Sequence, residues 1–436
     1  MADEKTRIRT KGEGPRKPVE LAALSFLVGA VAGLAGALFR IALRQLDIWR
    51  TLSITKMHAW GWGASVIVIV VVALAAAGAA WLVRRLSPEA TGSGIPYVET
   101  QLRDGWIGNP FHIVWVKFLG GLMAIGGGLA LGREGPTVQI GAVIGHVVGG
   151  VFRRSDNDRR VLLAAGAGAG LATAFNAPIA GAVFVLEELV GQFDVPISIA
   201  TLGASAGAIG VARLLLGQAP DFTVPTLGEL LNVGNVSAVG AHLILGTAFG
   251  FLGVAYSRTI LGCIALQGRL HRVPIEWRAG AIGALIGLLG WFAPSLIGGG
   301  DNLTQQVLSG SILPGMAGLF LLIRFVLGPI SYSAETPGGL FAPMLTIGSL
   351  GGLLMGWLWA HLFHSGAILL QEFAIVGMAA FFTSVVRAPV TGIILVIELT
   401  GSSSLLLPML AAAFAAMTVA TVLKQPPIYE SLRVVR

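Results

Sequence analysis

Gly132-Arg133-Glu134-Gly135-Pro136-Thr137-Val138-Gln139-Ile140-Gly141 places a carboxylate inside apolar sequence suited to a bilayer. A Glu at membrane depth is expensive, so such a residue marks an ion or proton route by default. Pro is favoured where the first turn of a helix leaves an N–H unpaired anyway, so Pro136 predicts a helix starting near Gly135. Glu134 would then lie at a positive helix end, where unpaired amides and the helix dipole attract anions and the glycines admit an ion to the backbone. The local reading is an anion site with a built-in carboxylate that can occupy it.

The rest of the chain supplies the membrane setting. Of 436 residues, 55% are hydrophobic, only 12% are charged and 61 are glycine, with a mean hydropathy of +0.80. Soluble chains carry about 25% charged residues, so this composition predicts an integral membrane protein. The net charge of +7 does not point to nucleic acid, because the basic residues are dispersed or terminal. Lys5, Arg7, Arg9, Lys11, Arg16 and Lys17 directly precede the first apolar run, which predicts a cytoplasmic N-terminal tail over 1–20 rather than a cleaved signal peptide. Cys263 is the single cysteine, so neither an internal disulfide nor a cysteine metal cluster is expected. The seven histidines have no ligand spacing and read as loop or interface residues.

Apolar segments run over 21–43, 60–83, 113–131, 138–151, 161–175, 179–189 and 197–216, and then over 239–266, 279–292, 316–330, 340–362, 373–382, 390–399 and 405–423. Several are shorter than the ~20 residues of a straight span, and many are broken by Gly or Pro. Broken helices at membrane depth survive only inside protein or along a cavity. The expected fold is therefore all-α, a bundle of tilted and partial helices. Two matches reveal an internal repeat: Asn176 to Glu187 resembles Arg387 to Glu398, and Gly135 to Gly141 resembles Ala342 to Gly348. Their similar offsets imply homologous halves, 21–216 and 239–436, joined by a linker over 217–238. Such repeats, with discontinuous helices, characterise transporter folds with the ion site between the halves. The chain ends soon after the last apolar segment, leaving no room for a regulatory domain after Arg436.

Three further stretches join the first: Gly92-Ser93-Gly94-Ile95-Pro96, Gly338-Gly339-Leu340-Phe341-Ala342-Pro343, and Tyr429 after Pro426-Pro427. Together these motifs, in this order, resemble the CLC family of chloride channels and proton-coupled chloride transporters, of the bacterial type without C-terminal regulatory domains. The resemblance runs from about residue 20 to the C-terminus. It implies that Glu134 is the gating carboxylate and proton acceptor. It also implies chloride ligands from the Ser93 and Tyr429 hydroxyls and from backbone amides near Gly135, Leu340 and Phe341. Partial charges suit a conducted anion, which must leave as well as bind. Glu188 matches the inner proton-transfer glutamate that exchangers possess and channels tend to lack. Glu99 and Lys117 match charged positions that stabilise one another in bacterial transporters. Ser93, where nitrate-selecting plant relatives have proline, implies chloride, and the intact Gly-Arg-Glu-Gly-Pro motif argues against the fluoride-exporting branch.

Plainer readings compete at each position. Adjacent helical residues do not face each other, which weakens a simple Glu134–Arg133 pair. Glu188 could be a solvated helix end, Ser93 a helix cap and Tyr429 an interfacial anchor. Glu398, the repeat mate of Glu187, reads as structural; Glu335 has no assigned role; Gly203, Gly207 and Gly210 read as close helix packing, with a subunit contact as one setting. A membrane enzyme using Glu134 as general base lacks a nucleophile, a metal cluster and a cofactor motif, so neither enzymatic activity nor a cofactor is expected. The expectation is a multi-pass homodimer of the bacterial inner membrane exchanging chloride for protons. The alternative is a passive voltage- or pH-gated chloride channel of the same fold.

Overall fold

The computed structural model describes residues 18–434 except 107, 225–235 and 364–369, so the basic residues over 1–17 lie outside the described chain. From the first half come α1 (Pro18–His58), α2 (Ala64–Leu86), α3 (Ile95–Asp104), α4 (Pro110–Gly127), α5 (Glu134–Val151), α6 (Asp156–Phe175), α7 (Pro178–Phe184) and α8 (Val195–Leu216). The second contributes α9 (Val236–Arg269), α10 (Ile275–Phe292), α11 (Asp301–Leu308), α12 (Pro314–Tyr332), α13 (Phe341–Phe363), α14 (Leu370–Val386), α15 (Pro389–Thr400) and α16 (Leu406–Val422), followed by α17 (Ile428–Val434). Among the described residues, 9 helices are long and apolar enough to cross a membrane. The protein is an integral, multi-pass membrane protein.

The two halves are inverted copies, and two reciprocal contacts mark the pseudo-twofold axis. Gly132 and Gly339 exchange both backbone hydrogen bonds with each other, N to O at 2.8 and 2.7 Å. Each thus occupies the other's place in its own half. The second contact exchanges helix caps. Glu187 accepts from the Val390 and Thr391 amides at the start of α15, at 3.1 and 2.7 Å. Glu398 accepts from the Ile179 and Ala180 amides at the start of α7, at 3.1 and 2.8 Å. Each glutamate sits at the far end of one helix and caps the near end of the other, so α7 and α15 run antiparallel. A carboxylate at a helix N-terminus pairs orphan amides and favours the dipole.

Close packing comes from small residues repeated in both halves. A Cβ on Gly141 would collide with the backbone of Gly166, and one on Gly348 with that of Gly377, so α5 crosses α6 as α13 crosses α14. Without a hydrophobic drive between helices in lipid, such backbone proximity supplies the attraction. Gly203 and Gly207 face α1, Gly207 against the Phe26 backbone, whereas Gly210 faces open space. Within this chain, two of the three glycines therefore serve α8–α1 packing.

The expected apolar segments match the helices within a few residues except at α1, which continues past Leu43 through Arg44, Asp47 and Arg50 to His58. Together with Arg40, the Arg44, Asp47 and Arg50 side chains line a polar cavity, where ionised groups are tolerated. Short α11 carries no long apolar run and was not expected. The histidines also need correction. His242 is 1% exposed and lies 3.3 Å from the Glu372 carboxylate, joining α9 to α14.

Removing either exchanged cap should cost about 1 kcal/mol, the usual value of a lost helix cap. Glu398→Ala in detergent should therefore unfold at lower temperature than the unmodified protein; an unchanged melting curve would show that the α7 cap contributes nothing.

Candidate functional site

Helix ends from both halves converge on Glu134. The turn Gly92–Gly94 precedes α3, Gly132–Arg133 precedes α5, and Gly338–Leu340 precedes α13. Gly338 N donates to Gly92 O at 3.0 Å and Gly339 N to Gly132 O at 2.7 Å, so the three turns are laced together by backbone. Gly94, at φ +81°, adopts a left-handed conformation that suits glycine. Gly135 packs against the Ser93 backbone, with no space there for a side chain.

All the residues expected at the anion site, Ser93, Gly135, Leu340, Phe341 and Tyr429, are buried there with Glu134. Glu134 is 0% exposed, and no other side chain hydrogen-bonds its carboxylate oxygens. It faces the amides at the start of its own helix and at Ala342 in the first turn of α13. The Tyr429 hydroxyl is likewise buried without a partner. The Ser93 hydroxyl accepts from the Ile95 amide at 3.3 Å. Phe341 stands edge-on to Phe382 at 4.7 Å and lies 5.9 Å from the Tyr429 ring, which fixes the phenol beside the α13 end. Buried polar atoms left unpaired cost free energy unless something occupies the space between them. The arrangement offers a hydroxyl, a phenol and helix-end dipoles around one buried point, which suits an unhydrated anion.

Glu188 is half-buried on a π-helical turn, Val185–Leu189, that follows α7, and lies within the field of the Tyr429 phenol. Such turns recur at functional positions because they re-aim a side chain. The neighbouring Glu187 is held by the α15 cap, which leaves the two adjacent carboxylates in different settings. Glu99 is buried, with Arg433 at 3.9 Å.

Lys117 has a larger role than the expected pairing with Glu99. Its ammonium is fully buried and donates to the Ala90 and Gly92 carbonyls at 3.0 and 2.7 Å, hooking the turn that carries Ser93. Arg324 does the same in the second half, donating to the Leu296, Gly298 and Gly299 carbonyls at 3.1, 2.7 and 2.7 Å. Sequence reasoning missed Arg324, although it stands at the same offset from Lys117 as Pro343 from Pro136. Tyr332 was missed as well; its phenol lies 3.4 Å from the Ser93 amide. Glu335 sits at positive φ, its carbonyl accepting from Thr91 and its carboxylate 3.9 Å from Arg278, on the approach to the Ser93 turn.

On the other side of Glu134 opens a cavity of about 980 Å³. Arg133 forms part of its wall, bound to the Ala174 carbonyl at 2.9 Å, to Asp301 at 2.7 Å and to Asp221 at 3.1 Å. The guanidinium therefore does not pair with its neighbour Glu134. No group of three or more His, Cys, Asp or Glu suited to a metal ion occurs among the described residues.

Comparison with known proteins points in one direction. Residues 73–421 match the family model described as voltage gated chloride channel. The H(+)/Cl(-) exchange transporters ClcA of Salmonella paratyphi B and Salmonella typhimurium are each 36% identical over 433 residues, spanning 98% of this chain and 90% of theirs. A slow cyanobacterial Cl-/H+ antiporter has the same fold, with a TM-score of 0.90 and 31% identity over 97% of this chain and 98% of that one. A CLC-type fluoride/proton antiporter shares the fold at a TM-score of 0.78 and 22% identity, over 94% of this chain and 97% of that one.

Replacing either buried cation with Met leaves its carbonyls without a charged donor. Lys117→Met and Arg324→Met should each destabilise the protein by about 3 kcal/mol, read as early thermal unfolding. Wild-type melting in both would refute the hook.

Proposed function

Because the chain belongs to the voltage gated chloride channel family, we propose that it is a secondary active transporter exchanging chloride for protons. One observation carries the assignment of Glu134 as gate and proton acceptor: an enclosed carboxylate, bonded to no other side chain, directed at the N-terminal end of α13. An ionised carboxylate and a chloride ion are alternative occupants of the same positive helix end. Protonation removes the attraction, and the side chain leaves toward the cavity while chloride enters. Chloride is then held by the Ser93 and Tyr429 hydroxyls and by amides near Gly135, Leu340 and Phe341. The unpaired Tyr429 hydroxyl supports this reading, since it has a donor to offer.

Glu188 serves as the inner proton-transfer residue. Its support is its half-buried setting on the π turn, while the adjacent Glu187 is engaged as the α15 cap. Retention of a carboxylate there favours exchange over a passive channel. The basic tail before α1 favours a cytoplasmic N-terminus, putting the Arg133 cavity outside and Glu188 inside. The repeats 21–216 and 239–436 build one pathway per subunit of a homodimer in a bacterial inner membrane, and Ser93 favours chloride over nitrate.

Purified protein in liposomes, given only a chloride gradient, should drive protons uphill. Glu188→Gln should stop the protons while chloride still passes. Glu134→Gln, a mimic of the protonated gate, should keep chloride moving and abolish proton coupling. Chloride flux with no proton movement by the unmodified protein would establish the channel alternative instead, and persistent coupling in Glu134→Gln would remove Glu134 from the gate.

A further inference from the structure

Residues 219–224, which follow α8, border the cavity beside Glu134 and are fastened at several points. The Ala219 carbonyl accepts from the Asn176 side chain at 3.0 Å. Phe222 is buried, its amide donating to the Leu399 carbonyl at 3.0 Å. Thr223 and the Gln305 side chain exchange two hydrogen bonds, at 3.0 and 2.9 Å. Between these fastenings lies Asp221, its side chain 6% exposed and shared between two guanidinium groups. One oxygen takes Arg40 of α1 and the other takes Arg133.

We propose that residues 219–224 form a strap whose Asp221 holds Arg133 away from Glu134, and so sets how acidic the solution must be for the gate to open. The proposal rests on Glu134 being the gate. Arg133 precedes Glu134 in the chain and is the cation nearest to it in sequence, yet all its bonds run to other groups: the end of α6, Asp301 of α11 and Asp221 of the strap. The charged and titratable groups facing Glu134 are therefore few. Arg133 and Asp301 act on it directly, Tyr429 lies within its field from α17, and Asp221 and Arg40 act through Arg133. Two carboxylates on one guanidinium leave it little net attraction for a third. Removing Asp221 frees an arm of Arg133 to hold the ionised Glu134, so more acid is needed to release the gate. Removing Arg40 leaves Asp221 wholly to Arg133, and the shift reverses.

The test is the pH profile of chloride flux in liposomes. An opposite charge brought within a few Å moves a carboxyl titration by a unit or more, so Asp221→Asn should shift the rise of flux down by about one pH unit. Arg40→Gln should shift it up, which gives a second reading if the first variant folds poorly. Placed in a Glu134→Gln background, neither change should alter the profile, because no carboxylate remains to be held. A uniform fall of flux at every pH, or a shift that persists in the Glu134→Gln background, overturns the strap while leaving the gate assignment intact. If Glu134→Gln itself stays proton-coupled, the gate and the strap fall together.

Discussion

A helix end cannot be left bare at membrane depth. Each start or stop exposes amides or carbonyls that hydrocarbon will not solvate, and this protein places the starts of α3, α5, α11 and α13 beside irregular turns inside the bundle. The exchanged bonds of Gly132 and Gly339, the carbonyls gathered by Lys117 and Arg324, and the crossed caps of Glu187 and Glu398 answer that constraint. What remains unanswered is informative. The amides at the start of α13 face a carboxylate that no other side chain hydrogen-bonds, and the Tyr429 phenol has no partner. These open groups lie beside the converging helix ends, which is the proposed place for an ion.

The inverted repeat builds the scaffold twice and the chemistry once. Lys117 and Arg324 hook equivalent turns, and Asn176 and Arg387 both end a helix at positive φ before an Ala-Pro. Yet the residue after Arg133 is Glu134, whereas the residue after Leu340 is Phe341, although Gly132 and Gly339 are partners on the axis. Likewise Ser93 precedes one glycine of the first turn, while the second turn offers only Gly298, Gly299 and Gly300. Symmetry supplies two opposed helix ends, and its breaking makes one of them a carboxylate and the other an aromatic wall.

Charge is handled by different means on the two sides of Glu134. Toward the Ser93 turn, Lys117 is consumed by carbonyl dipoles and offers the path a held backbone rather than a free cation. Toward the cavity, Arg40, Arg133, Asp221 and Asp301 alternate in sign and bind one another. Neither side presents a bare buried cation, which would trap an anion instead of passing it.

The sequence by itself determined the membrane class, the repeat and the placing of an ionised residue at a helix start. Those follow from composition, from an offset repeated at two motifs, and from Pro136 beside Glu134, all local or periodic signals. The gathering of the Ser93, Glu134, Phe341 and Tyr429 motifs was legible only through resemblance, since their spacing states nothing about proximity. Tertiary structure alone decided the orientation of the halves, the targets of Lys117 and Arg324, and the continuation of α1 beyond Leu43. The bonds of Arg133 were also beyond the sequence. Its nearest carboxylate along the chain is Glu134, but its guanidinium reaches Asp221 and Asp301, 88 and 168 residues away. Charge pairing follows distance in space, and only the packed helices set that distance.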